Sequence, residues 1–242
     1  SRGLGDVYKR QLVYSSQLSH ELCYATSKSP TGPYRYGGTI ISIGDIGLEG
    51  IHSKEEARNY TGNTHGGLVQ VKDQWYIFYH RQTNQKRCNR QGCAEKVTIL
   101  WDGRIPQVEM TSCGLNQGPL KATGDYEARI ACNLWCKEPS FSYGTNKKRN
   151  YINHPYFTQS GQDREENGDQ YIANMRDGAT AGFKYFAFHE DRPNKIAIEI
   201  RGTAKGRIKI YGTEGKEKLL AEIRVDLKDD QIWKKVEADF AP

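Results

Sequence analysis

Short stretches in which apolar and polar residues alternate recur along this chain of 242 residues. The clearest are 196–200, 208–210 and 223–225, where isoleucine or valine occupies every second position. A period of two gives a strand one buried and one wet face, as in an antiparallel sandwich. Sustained helical periodicity is absent, so the pattern predicts an all-β protein.

The first half also reads as strands, because its apolar runs are short and rich in Val, Ile and Tyr. These runs are 12–15, 22–26, 39–42, 68–71 and 75–80. Asp102-Gly103 predicts a tight hairpin between strands 96–101 and 104–110, and 126–134 is a further strand candidate. Short strands at this spacing indicate a propeller, a barrel or a sandwich.

Composition narrows the function classes. Hydrophobic residues make up 36% and charged residues 26%, which is typical of neither a disordered nor a membrane-inserted chain. The net charge of +6 is mild, and basic residues cluster only at 147–149 and 234–235, so we expect no nucleic-acid binding. Fifteen Tyr and four Trp favour a partner that stacks on flat rings, such as a sugar.

Six cysteines lack the paired spacing of zinc sites and do not form a small disulfide scaffold. We interpret them as buried thiols, with at most one disulfide bond. Residues 1–11 have no signal-peptide anatomy and resemble an adapter-derived leader, so we expect the chain to begin in the middle of a domain.

The run Asn63–Arg81 places a histidine, His65, between small residues at the start of a predicted strand. This run resembles the last blade of the five-bladed propeller in glycoside hydrolase family 43, and Leu12–Ser42 is similar to its penultimate blade. Arg90–Glu95 and the Asp102-Gly103 turn are similar to the segment after the last blade in arabinofuranosidase and xylosidase members. The second half resembles a carbohydrate-binding module of family 6, on the residues 128–134, 177–186 and the strand around Trp233.

The resemblance implies an all-β fold with two domains after the leader. Residues 12–118 would form the last blades of a partial five-bladed β-propeller. Residues 119–242 would form a β-sandwich of the jelly-roll type. We expect a monomer whose parent protein is secreted, periplasmic or on the surface of a bacterium.

The family implies an inverting glycosidase that cleaves O-glycosidic bonds in arabinose- or xylose-containing polysaccharides of the plant cell wall, such as arabinoxylan, arabinan and xylan. Inversion uses a carboxylate base and a carboxylic acid about 6.5–9.5 Å apart. No catalytic residue can be assigned in this chain. Four glutamates match no family motif and are expected to be solvated or structural charges: Glu21, Glu49, Glu55 and Glu95. We therefore expect the chain alone to be inactive.

His65 is the metal candidate. The matching family histidine lies at the propeller centre, where it binds calcium directly or through water. Calcium prefers oxygen ligands, so one imidazole is an unusual partner. The alternative is a histidine that only packs and forms hydrogen bonds at the start of a strand. His80 is expected to be structural, and family 6 modules imply a further structural calcium for which no ligands can be assigned.

Arg90 is the leading substrate-binding candidate, because the family places an arginine here at the sugar subsite. Its planar fork of donors suits vicinal hydroxyl groups. The alternative is a salt bridge to Glu95, and Gln91 is a weaker candidate for the same subsite.

In the sandwich half the candidates are aromatic rings. Tyr171, Tyr185 and Trp233 could form a sugar-stacking platform, with Asn174 or Asn194 donating hydrogen bonds, although such rings also form cores. Two functions therefore stay open: a fragment of a glycosidase, or a non-catalytic carbohydrate-binding protein. A lectin without glycosidase ancestry is a third.

Overall fold

Strands make up nearly all the regular structure in the described part of the chain. The computed structural model describes residues 11–18, 20–86, 88–139, 153–161, 169–188, 193–212, 217–228 and 231–242. Within these ranges helix is confined to 3-10 turns such as Ala128–Ile130, which confirms the all-β prediction. None of these residues belongs to a helix long and apolar enough to cross a membrane.

Sixteen strands lie in the described ranges. In chain order they are β1 (Gln11–Ser15), β2 (Glu21–Thr26), β3 (Arg35–Ser42), β4 (Gly66–Val71), β5 (Gln74–Gln82), β6 (Arg90–Val97), β7 (Leu120–Lys121), β8 (Asn133–Trp135), β9 (Tyr156–Gln159), β10 (Gln170–Ala173), β11 (Thr180–Gly182), β12 (Phe186–Ala187), β13 (Lys195–Ile200), β14 (Ala204–Gly212), β15 (Lys218–Leu227) and β16 (Lys234–Asp239).

Two three-stranded antiparallel sheets dominate the first half, in the orders β1-β2-β3 and β4-β5-β6. The later strands pair two by two. The pairs β8/β11, β9/β10, β13/β16 and β14/β15 are antiparallel, and β7/β12 is parallel.

The chain divides into two compact units. The first comprises residues 1–119 and 126–185, and the second comprises 120–125 and 186–242. The core of the first unit is built from residues of both its segments: Leu22, Tyr24, Ile40, Ile41, Ile43, Ile77, Tyr79, Val97, Ile105, Met110 and Cys132. The division at residue 119 into a propeller part and a sandwich stays a prediction.

The second unit shows the predicted alternation. Ala221, Ile223 and Val225 of β15 are buried, while the charged residues between them lie on the wet face. There Glu222 pairs with Arg207 across the β14/β15 ladder at 3.0 Å.

Two sequence predictions of strands were wrong. The turn at Asp102-Gly103 forms, since the N–H of Gly103 donates to the carbonyl of Leu100 at 2.9 Å. However, β6 ends at Val97, and residues 104–110 join a sheet only through a bridge between Val108 and Ile41. Pro106 lacks the N–H that a ladder requires. Within 126–134, a 3-10 turn replaces the predicted strand up to residue 130.

All six cysteines are free thiols, so the optional disulfide bond does not form. Gln11 is the first residue of β1 and not part of the predicted leader. Residues 1–10 and the basic cluster at 147–149 lie outside the described ranges.

Candidate functional site

Two hydrogen bonds of Thr64 fix the backbone just before β4. Thr64 is buried, its hydroxyl donates to the carbonyl of His80 at 3.2 Å, and its own carbonyl accepts from the Ser15 hydroxyl at 2.5 Å. A Cβ on Gly66 would lie 1.8 Å from the carbonyl oxygen of Phe78. Glycine at position 66 is therefore needed for the close approach of β4 and β5.

His65 and His80 lie side by side at the end of this sheet. The backbone N–H of His65 donates to Nε2 of His80 at 3.1 Å, and the two ring centroids are 5.8 Å apart. His65 is exposed to solvent. Its imidazole is thus not enclosed by an apolar interior, and it can meet a ligand.

His80 is held neutral. Desolvation lowers its pKa to about 4, and the nearby positive charge of Arg90 and the imidazole of His65 act in the same direction. Because Nε2 accepts the His65 N–H, the proton of the neutral ring lies on Nδ1. That atom is buried and has no hydrogen-bond partner in the described part of the chain. His80 therefore supports the backbone of His65, as expected for a structural residue.

Arg90 opens β6 on the same face of the sheet as His80. It pairs with Gln82, two residues after His80 in β5, and side chains two apart share a face. The guanidinium is exposed and reaches the carbonyl of Cys88 at 3.5 Å. The alternative salt bridge to Glu95 is absent from the ion pairs of the described residues.

Glu95 is instead buried, with 4% of its surface exposed. Its carboxylate accepts hydrogen bonds from the N–H and hydroxyl of Thr111 at 2.7 and 2.6 Å, and from the Tyr79 hydroxyl at 3.3 Å. Desolvation outweighs these bonds and raises its pKa to about 7. It lies on the face of β6 that also carries Cys93 and Val97.

Gln91 lies on the other face of β6 from Arg90. Its Oε1 accepts from Nε of Arg81 at 3.0 Å, and its Nε2 donates to the carbonyl of Arg129 at 3.3 Å. Both ends of the amide are engaged in packing residues 129–131 against β5. The structure does not bring Gln91 together with Arg90.

Calcium binding at His65 stays a prediction. Calcium takes six to eight oxygen ligands, and the neighbouring side chain that the structure places beside His65 is the imidazole of His80, with ring centroids 5.8 Å apart. No group of three or more His, Cys, Asp or Glu side chains in the described ranges is arranged to hold a metal.

The predicted aromatic platform is divided between the two compact units. Tyr171, on β10, is half-buried and belongs to the first unit, as does Tyr185. Trp233 belongs to the second unit, is 37% exposed and carries the guanidinium of Arg201 over its ring at 4.7 Å. Asn174 donates to the carbonyl of His154 at 2.8 Å, and the carbonyl of Asn194 accepts from the N–H of Phe240.

The sequence did not predict a charged network in the first unit, which is formed by Asp45, Glu109, Lys184 and Tyr185. Nζ of Lys184 donates to Glu109 at 2.8 Å and to the fully buried Asp45 at 3.2 Å. The Tyr185 hydroxyl donates to the other oxygen of Glu109. Burial works against the charge of Lys184, but Glu109 and Asp45 raise its pKa above the ordinary value. No sequence pattern links residues this distant along the chain.

Comparison with curated proteins gives a match over nearly the whole chain. The chain is 44% identical over 241 residues to a xylosidase/arabinosidase of Thermoclostridium stercorarium. The match covers 99% of this chain and 49% of that protein. A xylosidase/arabinosidase of Bacteroides ovatus is 34% identical over 72 residues, 30% of this chain and 18% of that protein. The chain thus spans about half the length of the first relative. No model of a protein family matches it.

Solved structures with detectable similarity include glycoside hydrolases of family 43. An arabinoxylan arabinofuranohydrolase from Bacillus subtilis, in complex with cellotetraose, is 18% identical over 92% of this chain and 42% of its own, with a TM-score of 0.43. A β-xylosidase/α-arabinofuranosidase from a compost metagenome, in complex with xylotriose and calcium-free, is 27% identical over 40% of this chain and 26% of its own, with a TM-score of 0.32. TM-scores this low establish no shared fold, so the sequence match is the informative comparison.

Proposed function

We propose that this chain is part of a family 43 glycoside hydrolase that hydrolyses O-glycosidic bonds in xylose- or arabinose-containing polysaccharides of plants. One observation carries the proposal: the 44% identity with a xylosidase/arabinosidase extends over 99% of the chain. The exposed His65 and Arg90 at one sheet end are in keeping with it, since both can donate hydrogen bonds to sugar hydroxyl groups.

In the proposed mechanism, a carboxylate base activates water while a carboxylic acid protonates the leaving oxygen on the opposite side of the sugar. This chain's residues would orient the sugar. Arg90 would donate to vicinal hydroxyls through its planar fork. His80 would hold the backbone at His65 through the 3.1 Å hydrogen bond, so that the His65 ring keeps its direction.

Neither catalytic carboxyl group is assigned among the residues of this chain. We therefore propose that the chain alone releases no sugar, whereas a longer protein that supplies both groups does. The test is release of nitrophenol from aryl β-xyloside and aryl α-arabinofuranoside by each protein. Hydrolysis by the purified chain alone would refute its inactivity, and an inactive longer protein would refute the glycosidase function.

A non-catalytic carbohydrate-binding role is the second candidate. It is favoured by the exposed rings of Tyr185 and Trp233, which are 47% and 37% exposed. Affinity electrophoresis on gels containing xylan or arabinan tests it. Retardation of the chain by either polymer, together with an inactive longer protein, would favour binding over hydrolysis.

A further inference from the structure

A cleft of about 570 Å³ opens in the first compact unit, apart from the sheet end that carries His65. Its lining includes Leu48, Glu49, Glu95, Glu109, Gln117 and Tyr185. Clefts of about 300–1,000 Å³ suit ligands of the size of a short oligosaccharide.

The ring of Tyr185 is the main flat surface of this cleft. It is 47% exposed, yet it is anchored at both ends. Its hydroxyl donates to Glu109, and its backbone N–H donates to Sγ of Cys113 at 3.4 Å. An exposed ring whose orientation is already fixed loses little conformational entropy when a ligand stacks on it.

Two carboxylates of the lining form ion pairs within the protein. Glu109 pairs with Lys184 at 2.8 Å, and Glu49 pairs with Arg58 at 3.0 Å. Nζ of Lys96 donates to the carbonyl of Gln117 at 2.5 Å. An anionic ligand would meet more carboxyl groups than ammonium groups, because Glu49, Glu95 and Glu109 line the cleft beside Lys96. A cationic ligand would compete with the existing ion pairs.

A neutral ligand with many hydroxyl groups fits this lining best. Each carboxylate oxygen has two lone pairs, so Glu49 and Glu109 can accept from hydroxyl groups while keeping their ion pairs. A wholly apolar ligand would bury these oxygens without replacing their water. The apolar face of a sugar ring can meanwhile stack on Tyr185.

We propose that this cleft is a binding site for a neutral pentose oligosaccharide, with Tyr185 as its stacking platform and Glu109 as the residue that positions the ring. The choice of a pentose rests on the proposed function. Neither His65 nor Arg90 lines this cleft.

The test is calorimetric titration of the full chain with xylohexaose. Tyr185→Ala should weaken binding about tenfold, which corresponds to about 1.4 kcal/mol. Tyr185→Phe should weaken it less, because the ring remains while its anchor to Glu109 is lost. Tyr34→Ala is the matched control, since Tyr34 is 39% exposed, lies outside the lining and also donates its hydroxyl, to the carbonyl of Pro30. Circular dichroism verifies the fold of each variant.

Binding that is unchanged in Tyr185→Ala would overturn the inference, as would wild-type protein that does not bind xylohexaose at millimolar concentration. Loss of binding in Arg90→Ala alone would also overturn it, while leaving the proposed function intact. The hydrolysis assay on the longer protein tests the proposed function independently of this binding experiment.

Discussion

Burial shifts the pKa of Glu95 and of His80 in opposite directions, and each shift favours the neutral form. The pKa of Glu95 rises to about 7, because desolvation outweighs its bonds to Thr111 and Tyr79. The pKa of His80 falls to about 4, because desolvation and the charge of Arg90 oppose protonation. The two residues therefore give stability opposite dependences on pH.

Glu95 should make the protein less stable as pH rises. Its folded pKa of about 7 lies above the ordinary 4.5, so its contribution is fully present below pH 4.5 and is lost as pH rises to about 7. The full loss is on the order of 3 kcal/mol. Glu95→Gln should flatten this part of the profile, measured by urea unfolding at several pH values. A variant with the wild-type slope would contradict the assignment.

His80 should titrate far below a free histidine. Its folded pKa of about 4 lies below 6.5, so its contribution to stability is present above pH 6.5 and is lost as pH falls to about 4. NMR of the imidazole protons should give a midpoint near pH 4, with His80→Gln used to assign the signal. A midpoint for His80 near 6.5 would show that the ring is solvated.

At the scale of elements, the β4-β5-β6 sheet creates the candidate site. Its strand pairing brings the start of β4, the C-terminal end of β5 and the start of β6 to the same end of the sheet. Residue 66 pairs with 79, and 82 pairs with 90. This register sets Arg90 on the face that carries His80 and turns Gln91 to the other. A sequence comparison that places Arg90 and Gln91 in one subsite does not account for strand alternation.

Two neighbouring glycines of β4 test how closely its strands approach. A Cβ at Gly66 would lie 1.8 Å from the Phe78 carbonyl oxygen, whereas one at Gly67 would meet nothing within 4 Å. Gly66→Ala should destabilise the protein by about 1–3 kcal/mol or more, because backbone must shift. Gly67→Ala should be neutral or stabilise it by up to about 1 kcal/mol. Equal urea midpoints for the two variants would contradict this packing.

At the scale of the whole molecule, residues 126–185 complete the core of the first unit. Arg81 joins the two segments of that unit: its two terminal nitrogens donate to the carbonyls of Ala131 and Arg129 at 2.6 and 2.7 Å. Its guanidinium also lies 3.7 Å from the centroid of the Phe157 ring. A buried arginine thus fixes a segment about 50 residues further along the chain.

Replacing this guanidinium should loosen the first unit as a whole. Arg81→Lys cannot reach both carbonyls and Gln91 together, and unpaired buried carbonyls are costly, so we expect a loss of about 2–4 kcal/mol. Arg104→Lys is the control, because Arg104 is exposed and pairs only locally with Asp102 in the described structure. The measurement is urea unfolding combined with limited proteolysis at 126–185. Similar losses in both variants would contradict the role of Arg81.

The amino-acid pattern alone determined the all-β class, most strand positions and the place of His65 before β4, because alternation and turn chemistry depend on neighbouring residues. Only tertiary structure decided that Glu95 is buried, that Gln91 packs against 129–131, and that Lys184 reaches Asp45, 139 positions earlier. Burial and pairing over such separations depend on which surfaces meet when the chain folds. The local alternation of apolar and polar residues does not specify which distant segments will pack together.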